Sequence, residues 1–346
     1  IVGDMIKALR SGKYDLNTTA VGITQTGGQC RASNYYPVIR KALVDAGFEQ
    51  VPVISAAMSS NVRSNQPGFK LDFKNIAVIA FDAILFGDCL SKLYHSTAVR
   101  IENPSLALEL KNQYLQEAKP IVLEKDRKGL IALLKNAVKE FNKLLPEEYL
   151  ERKKVGIVGE IFLKFHPFAN QNIVAWLMSQ KIEVIPPTLI PFMTQFFVNR
   201  DSKLENNVDT SSIPNPIMKL LYVLVKKEIE KFNNIISKFK YYSPIEDIYE
   251  LADEVKNIIP LIAQFGEGWV LPAEIVSLAR NKADGVISLQ PFGCIANHII
   301  SKGVENKIKQ LYPDLSLLSL DFDSGVSEVN VVNRLMLLKD SMSKKA

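Results

Sequence analysis

Short apolar runs that end in polar, glycine-containing turns and reopen into amphipathic stretches constrain this chain more than any other feature. The plainest case is Gly285-Val286-Ile287-Ser288-Leu289, followed by Gln290-Pro291-Phe292-Gly293-Cys294-Ile295-Ala296-Asn297-His298 and an amphipathic run over 295–311. This reads as strand, tight turn and helix, with a cysteine in the helix's first turn. Ala20-Val21-Gly22-Ile23, the turn Gly27-Gly28 and the helix after Cys30 repeat the unit. Further strands are expected at 51–55, 155–159, 182–185 and 315–320. Helices are expected at 36–46, 173–180, 272–281 and 326–338, the first ending at Gly47 as a C-cap. Alternation with brief crossovers implies parallel strands.

The chain has 346 residues, 47% of them hydrophobic and 23% charged, which is ample for a core and too long for one typical domain. The expected architecture is therefore α/β, with two flavodoxin-like domains of parallel sheet. The first covers 1–150 and closes with long helices between 75 and 145, broken at Pro104 and Pro120. The second covers 151–346 and carries a helical insertion at about 189–265.

A net charge of +5 from 42 basic and 37 acidic residues is mild, and no basic stripe with interleaved aromatics points to nucleic acid. Three cysteines exclude a disulfide scaffold. The most apolar segment, 76–90, contains Asp82 and Asp88 and is short for a membrane span, so a buried helix is expected. No signal-peptide pattern is read, and a cytoplasmic setting is expected. The chain begins at Ile1 within what reads as folded sequence, as a fragment of something longer would.

Ligands of open parallel sheets sit beyond the carboxyl ends of the strands. That rule collects Thr24, Gln25, Thr26, Gly27, Gly28, Cys30 and Arg31 from the first half, with Ser55 after the next strand. From the second it collects Glu160, His166, Asn170, Gln290, Cys294, Asn297, His298, Asp321, Asp323 and Ser324. A helix N-terminus favours thiolate over thiol, so Cys30 and Cys294 are candidate ligands of one anionic metal centre. The plainer reading is two buried, inert cysteines. Cys89, on an apolar run, is expected to pack. Zinc is disfavoured by the absence of CxxC or HxxxH pairs.

His166 is read either as a proton donor or as a structural loop histidine, and His298 as a hydrogen-bond donor one turn past Cys294 or as a cap. Glu160 is read as a buried acid with a raised pKa, or as bonded to its own loop. Asp321-Phe322-Asp323-Ser324 either binds a cation or caps the last helix. A Cys/His hydrolase ranks behind these readings, with no orienting acid evident.

Four separated motifs carry a resemblance that runs in order over nearly the whole chain. They are Gln25-Thr26-Gly27-Gly28-Gln29-Cys30-Arg31-Ala32-Ser33-Asn34-Tyr35; Gly159-Glu160-Ile161-Phe162 with His166-Pro167-Phe168-Ala169-Asn170; residues 290–298; and Ser327-Glu328-Val329-Asn330. Together they resemble the C-terminal part of the large activase-related proteins of the 2-hydroxyacyl-CoA dehydratase superfamily. The resemblance implies an anaerobic iron–sulfur protein, with a 4Fe-4S or related cluster held by cysteines at strand ends. It implies low-potential one-electron chemistry on an acyl-CoA, driven by a separate ATP-hydrolysing activase, in a lyase or an ATP-coupled reductase component. Cys30 and Cys294 match ligand positions. Thr26, Gly27, Gly28, Arg31 and Asn297 would bond cluster or substrate, and Glu160, His166 and His298 would serve proton transfer or substrate contact. Arg31 and Lys164 would meet CoA phosphates. A cubane needs about four ligand positions, so others would come from upstream, from substrate or water, or from a second dehydratase-like subunit. The alternative is a non-catalytic scaffold or electron relay that docks the activase.

Overall fold

The computed structural model describes residues 1–25, 34–57, 73–208, 214–323 and 325–343. The chain divides into two compact units, Ile1–Asp72 and Phe73–Ala346. Each contains helices and a short parallel sheet, so the chain is mixed α/β.

The first unit runs α1 (Val2–Arg10), β1 (Val21–Gln25), α2 (Tyr35–Asp45) and β2 (Val53–Ala57). The two strands pair in parallel, from Val21 opposite Val53 to Gln25 opposite Ala57. Leu9, Ile39, Leu43, Phe48, Val51 and Val53 form its core. Helix α2 stops because Gly47 takes φ +81°, a conformation open to a residue without Cβ. The N–H of Phe48 then bonds the Leu43 carbonyl and that of Gly47 the Val44 carbonyl, satisfying the last turn.

The second unit opens with three helices, α3 (Phe73–Ala98), α4 (Pro104–Leu123) and α5 (Arg127–Leu144). Here the division differs from the expected boundary at 150. Leu85, Leu90, Leu134 and Phe141 from these helices share a core with Ile190, Phe232 and Ile236 from the insertion. Periodicity identifies such helices but not what covers their apolar faces. The acids of α3 are satisfied within the protein. Asp82 pairs with Arg127 at 2.5 Å, and Asp88 accepts the Leu189 N–H at 2.9 Å. Segment 76–90 thus lies inside a helix of this core, and no helix of the described residues is long and apolar enough to cross a membrane. Pro104 begins α4, where its missing N–H costs nothing. Pro120 does not break the helix as expected. It lies in the last turn, so only one late hydrogen bond is lost before α4 ends.

The sheet follows: β3 (Lys154–Gly159), α6 (Ile161–Phe165), α7 (Ile173–Ser179), β4 (Glu183–Ile185). The insertion is α8 (Ile190–Glu205), α9 (Asn215–Ile236) and α10 (Ile248–Val255). Then come α11 (Val270–Arg280), β5 (Gly285–Pro291), a π-helical turn (Ala296–Ser301), α12 (Glu305–Leu311), β6 (Ser316–Phe322) and α13 (Glu328–Ser343). The strands lie in the order β4-β3-β5-β6, all parallel. Ile157, Ile287, Leu289 and Leu320 pack on one side with Leu177 and Leu335. Val158 and Val286 pack on the other with Ile275, Val276 and Ile308. Both faces are covered, which is why these strands read as continuous apolar runs.

A buried ion pair joins the turn after α3 to the edge strand. Arg100 Nη2 donates to Glu183 Oε2 at 2.6 Å, and its other nitrogens reach the Leu150 and Ser96 carbonyls. Ser96 Oγ donates to the second Glu183 oxygen, and the guanidinium lies 3.7 Å from the Tyr241 ring centroid. Glu183→Ala would strand a buried cation. We predict a loss of about 3–5 kcal/mol in urea unfolding, most of it recovered in Arg100→Met/Glu183→Leu. Equal losses in the single and double variants would contradict this.

Candidate functional site

In a sheet ordered β4-β3-β5-β6, the chain winds one way from β3 and the other way from β5. The crevice at such a reversal is where open parallel sheets bind ligands. The loops that leave β3 and β5 flank it, and they carry the second and third of the sequence motifs.

The ladder sets their relative level. Gly159 lies opposite Leu289, and Gln290 opposite Asp321. Glu160 N–H bonds the Leu289 carbonyl at 2.9 Å, one step past Gly159. Glu160, Gln290 and Asp321 therefore hold one row across three strand ends. Gly159 is fixed as glycine because it sits at φ +120° and an added Cβ would strike the Leu289 carbonyl.

Beyond β5, Gly293 turns the backbone at φ +73°. The Cys294 N–H then bonds the Pro291 carbonyl at 3.2 Å, and the His298 N–H bonds the Cys294 carbonyl at 2.8 Å. The expected helix over 295–311 is corrected to a π-helical turn and the separate α12. Asn297 Nδ2 donates to Cys294 Sγ at 3.1 Å. The Cys294 thiol is not tuned toward thiolate as expected. Burial pushes its pKa up, and Glu267 adds to this, against hydrogen bonds from Asn297 and Ala296.

His298 is fixed through both ring nitrogens. Gly293 N–H approaches Nδ1 at 3.2 Å, and Nε2 lies 2.6 Å from Asp321 Oδ1. Nδ1 therefore accepts and Nε2 carries the proton toward the carboxylate. Asp321 supplies the orienting acid that sequence reasoning had not found. Both ring nitrogens are committed, so His298 is not arranged as a base for Cys294. Asp323 accepts the Gly325 N–H at 2.7 Å.

Gln290 is 1% exposed, and neither amide atom of its side chain has a partner. Asn297, at 0%, leaves Oδ1 unpartnered. Buried amide groups without partners are costly, and their position at the reversal crevice marks them as ligand-facing candidates.

Glu160 takes its plainer reading, since Oε2 accepts the Leu163 N–H and caps α6. The buried acid at this edge is Glu267, which sequence reasoning missed. Its Oε1 accepts the Ile161 N–H at 3.2 Å. Burial pushes its pKa up to about 7, with Lys164 opposing and Glu160 adding. A signal was present, because Glu267 is a charge between Gly266 and Gly268, both at positive φ. Lys164 is also corrected. It is buried and 3.3 Å from Glu274, so it does not face CoA phosphates. His166 accepts the Ala169 N–H through Nδ1 and stacks on Phe162, while Asn170 Nδ2 donates to the Leu163 carbonyl. These contacts order their own loop.

Thr26, Gly27, Gly28, Cys30, Arg31 and Ser324 lie outside the described residues. Cys89 is fully buried in the α3–α5 core, as expected, with its thiol pushed up by burial. Among the described residues, no group of three or more His, Cys, Asp or Glu is placed to hold a metal ion. In comparisons with known proteins, no family model, no curated protein and no solved structure matches the chain.

Glu267 also sets a pH dependence. Between about pH 4.5 and 7 the folded chain keeps a proton that the unfolded chain releases. Its contribution to stability therefore falls as pH rises through that window, then levels off. We predict that Glu267→Gln, which keeps the acceptor for Ile161, stabilises the chain at pH 8 and changes little at pH 4. An unchanged slope in denaturant unfolding against pH would contradict the assignment.

Proposed function

We propose that the chain is the cluster-binding part of a protein similar to the 2-hydroxyacyl-CoA dehydratase superfamily, working in low-potential one-electron chemistry with an ATP-dependent activase. Cys294 supplies one thiolate to an iron–sulfur cluster. The observation that carries the reading is the Cys294 turn itself: a thiol in the turn that follows β5 at the reversal crevice, bonded by the Asn297 amide, with the buried, unpartnered Gln290 near the end of that strand. An N–H donor on sulfur is what a cluster-ligating thiolate uses.

In this reading the second unit is a flavodoxin-like domain. The order β4-β3-β5-β6 follows the first four strands of the 2-1-3-4-5 pattern, which supports it. The parallel pair β1–β2 with its crossover helix supports a like domain in the first half. Substrate acyl-CoA, the activase and a second subunit belong to the same proposal.

The donor set of the second unit does not fit a complete cluster. Its cysteines are Cys89 and Cys294, and Cys89 is sealed in a core. Cys30 is retained as a further ligand on the sequence resemblance alone, and no reaction step is derived through the cluster. What the described residues contribute is narrower. Asn297 donates to the thiol, Asp321 orients His298, and Glu267 holds a proton near neutrality. Proton transfer is thereby reassigned from Glu160 to Glu267. The same donor set fits equally the second reading, a non-catalytic relay docking the activase. Cluster reduction without turnover of any acyl-CoA would single it out.

The test is anaerobic reconstitution of the chain with iron and sulfide. We predict bound iron and sulfide in the wild type, loss in Cys294→Ser and Cys30→Ser, retention in Cys89→Ser, and affinity weakened on the order of tenfold in Asn297→Ala. Iron binding unchanged by Cys294→Ser would overturn the reading.

A further inference from the structure

A separate cavity of about 200 Å³ lies against the edge strand β4, lined by residues of α3, α11, β4 and the loop before α10. Its lining brings together Lys92, Ser243, Glu246, Ser277 and Asn281. We propose that this cavity binds a small 2-oxo acid or related aldehyde and that Lys92 forms an imine with its carbonyl carbon.

Three observations support the assignment. Lys92 is buried at 8% exposure, and its Nζ donates to Ser243 Oγ at 3.1 Å. A lone hydroxyl is a poor partner for a buried ammonium, so the site favours the neutral, nucleophilic amine. Burial accordingly lowers the Lys92 pKa against the pull of Glu246, Asp88 and Glu183. Glu183 is itself neutralised by Arg100.

Second, Glu246 is a proton carrier in the same lining. Ser277 Oγ and Asn281 Nδ2 both donate to its Oε1, which fixes the carboxyl group. Burial pushes its pKa up to about 7, so both protonation states are at hand near neutrality. Third, Lys154 adds a cation to the lining for the substrate carboxylate. Lys240 is not available for that role, since its Nζ donates to the carbonyls of Pro146, Glu147 and Glu148. Tyr149 and Tyr242 in the lining are exposed, which gives the cavity a route to solvent.

The chemistry balances without a redox partner. Neutral Lys92 Nζ adds to the carbonyl carbon, the C–O π pair moves to oxygen, and that oxygen takes the Glu246 proton. The Glu246 carboxylate next takes a proton from nitrogen and returns it to the new hydroxyl group. Water leaves as the C=N bond forms, and a protonated imine remains beside the carboxylate.

The test is incubation of the full chain with glyoxylate and cyanoborohydride near pH 7, followed by residue-resolved mass spectrometry. The wild type is expected to carry its reduced adduct on Lys92 ahead of the exposed lysines. Glu246→Gln should slow that adduct on the order of a hundredfold, with exposed lysines unaffected. Adducts confined to exposed lysines with Lys92 unmodified would overturn the proposal, and so would a Lys92 rate indifferent to Glu246→Gln. The wild-type map needs no variant, so it stands even if a substitution impairs folding.

Discussion

The parallel ladder β3–β5–β6 is the constraint on which the candidate site depends. Its register puts Glu160, Gln290 and Asp321 on one row. A shift of one residue would turn each of these side chains to the opposite face and exchange the two cores. The register is held from both sides, by Leu289 and Leu320 packing with Leu335 and by Val286 packing with Ile275. Apolar burial thus fixes where polar groups stand at the strand ends. From that row the Gly293 turn places Cys294, and Asp321 reaches His298.

The second unit also buries several titratable groups, and it does so in two ways. Arg100–Glu183 and Lys164–Glu274 are paired ions. Asp88, Glu246 and Glu267 instead hold their protons up to about pH 7, chiefly through burial. Pairing ties the turn after α3 to β4 and α6 to α11, and its value lies in specifying those contacts more than in net stability. The protonated acids are the more suggestive group, since perturbed carboxyls near clefts are frequent at functional sites. Glu267 and Glu246 belong to different places, the strand-end crevice and the β4 cavity.

Much of this was legible in the chain, and the failures have physical reasons. Apolar runs bounded by turn residues located each strand, and Gly47 closes α2 as its position implied. Asp82 and Asp88 argued for a buried helix, which α3 is. What periodicity could not provide was tertiary partnership, so α3–α5 join the second unit rather than the first. The π-helical turn was hidden for a similar reason: 295–311 is amphipathic throughout, and its local unwinding leaves no mark on that pattern. Cys294 was placed at the correct strand end, but its thiol chemistry depends on burial and on the charge of Glu267, which is distant in sequence. Lys164 shows the same limit, because nothing in Phe162-Leu163-Lys164-Phe165 announces the Glu274 partner.

The central claim is that the Cys294 turn holds a ligand through sulfur. Its most direct test is residue-resolved alkylation of the chain under anaerobic conditions, before and after addition of iron and sulfide. The account predicts that Cys294 becomes protected on loading and regains its original rate when a chelator strips the metal. Alkylation of Cys294 at the same rate with and without iron and sulfide would contradict it.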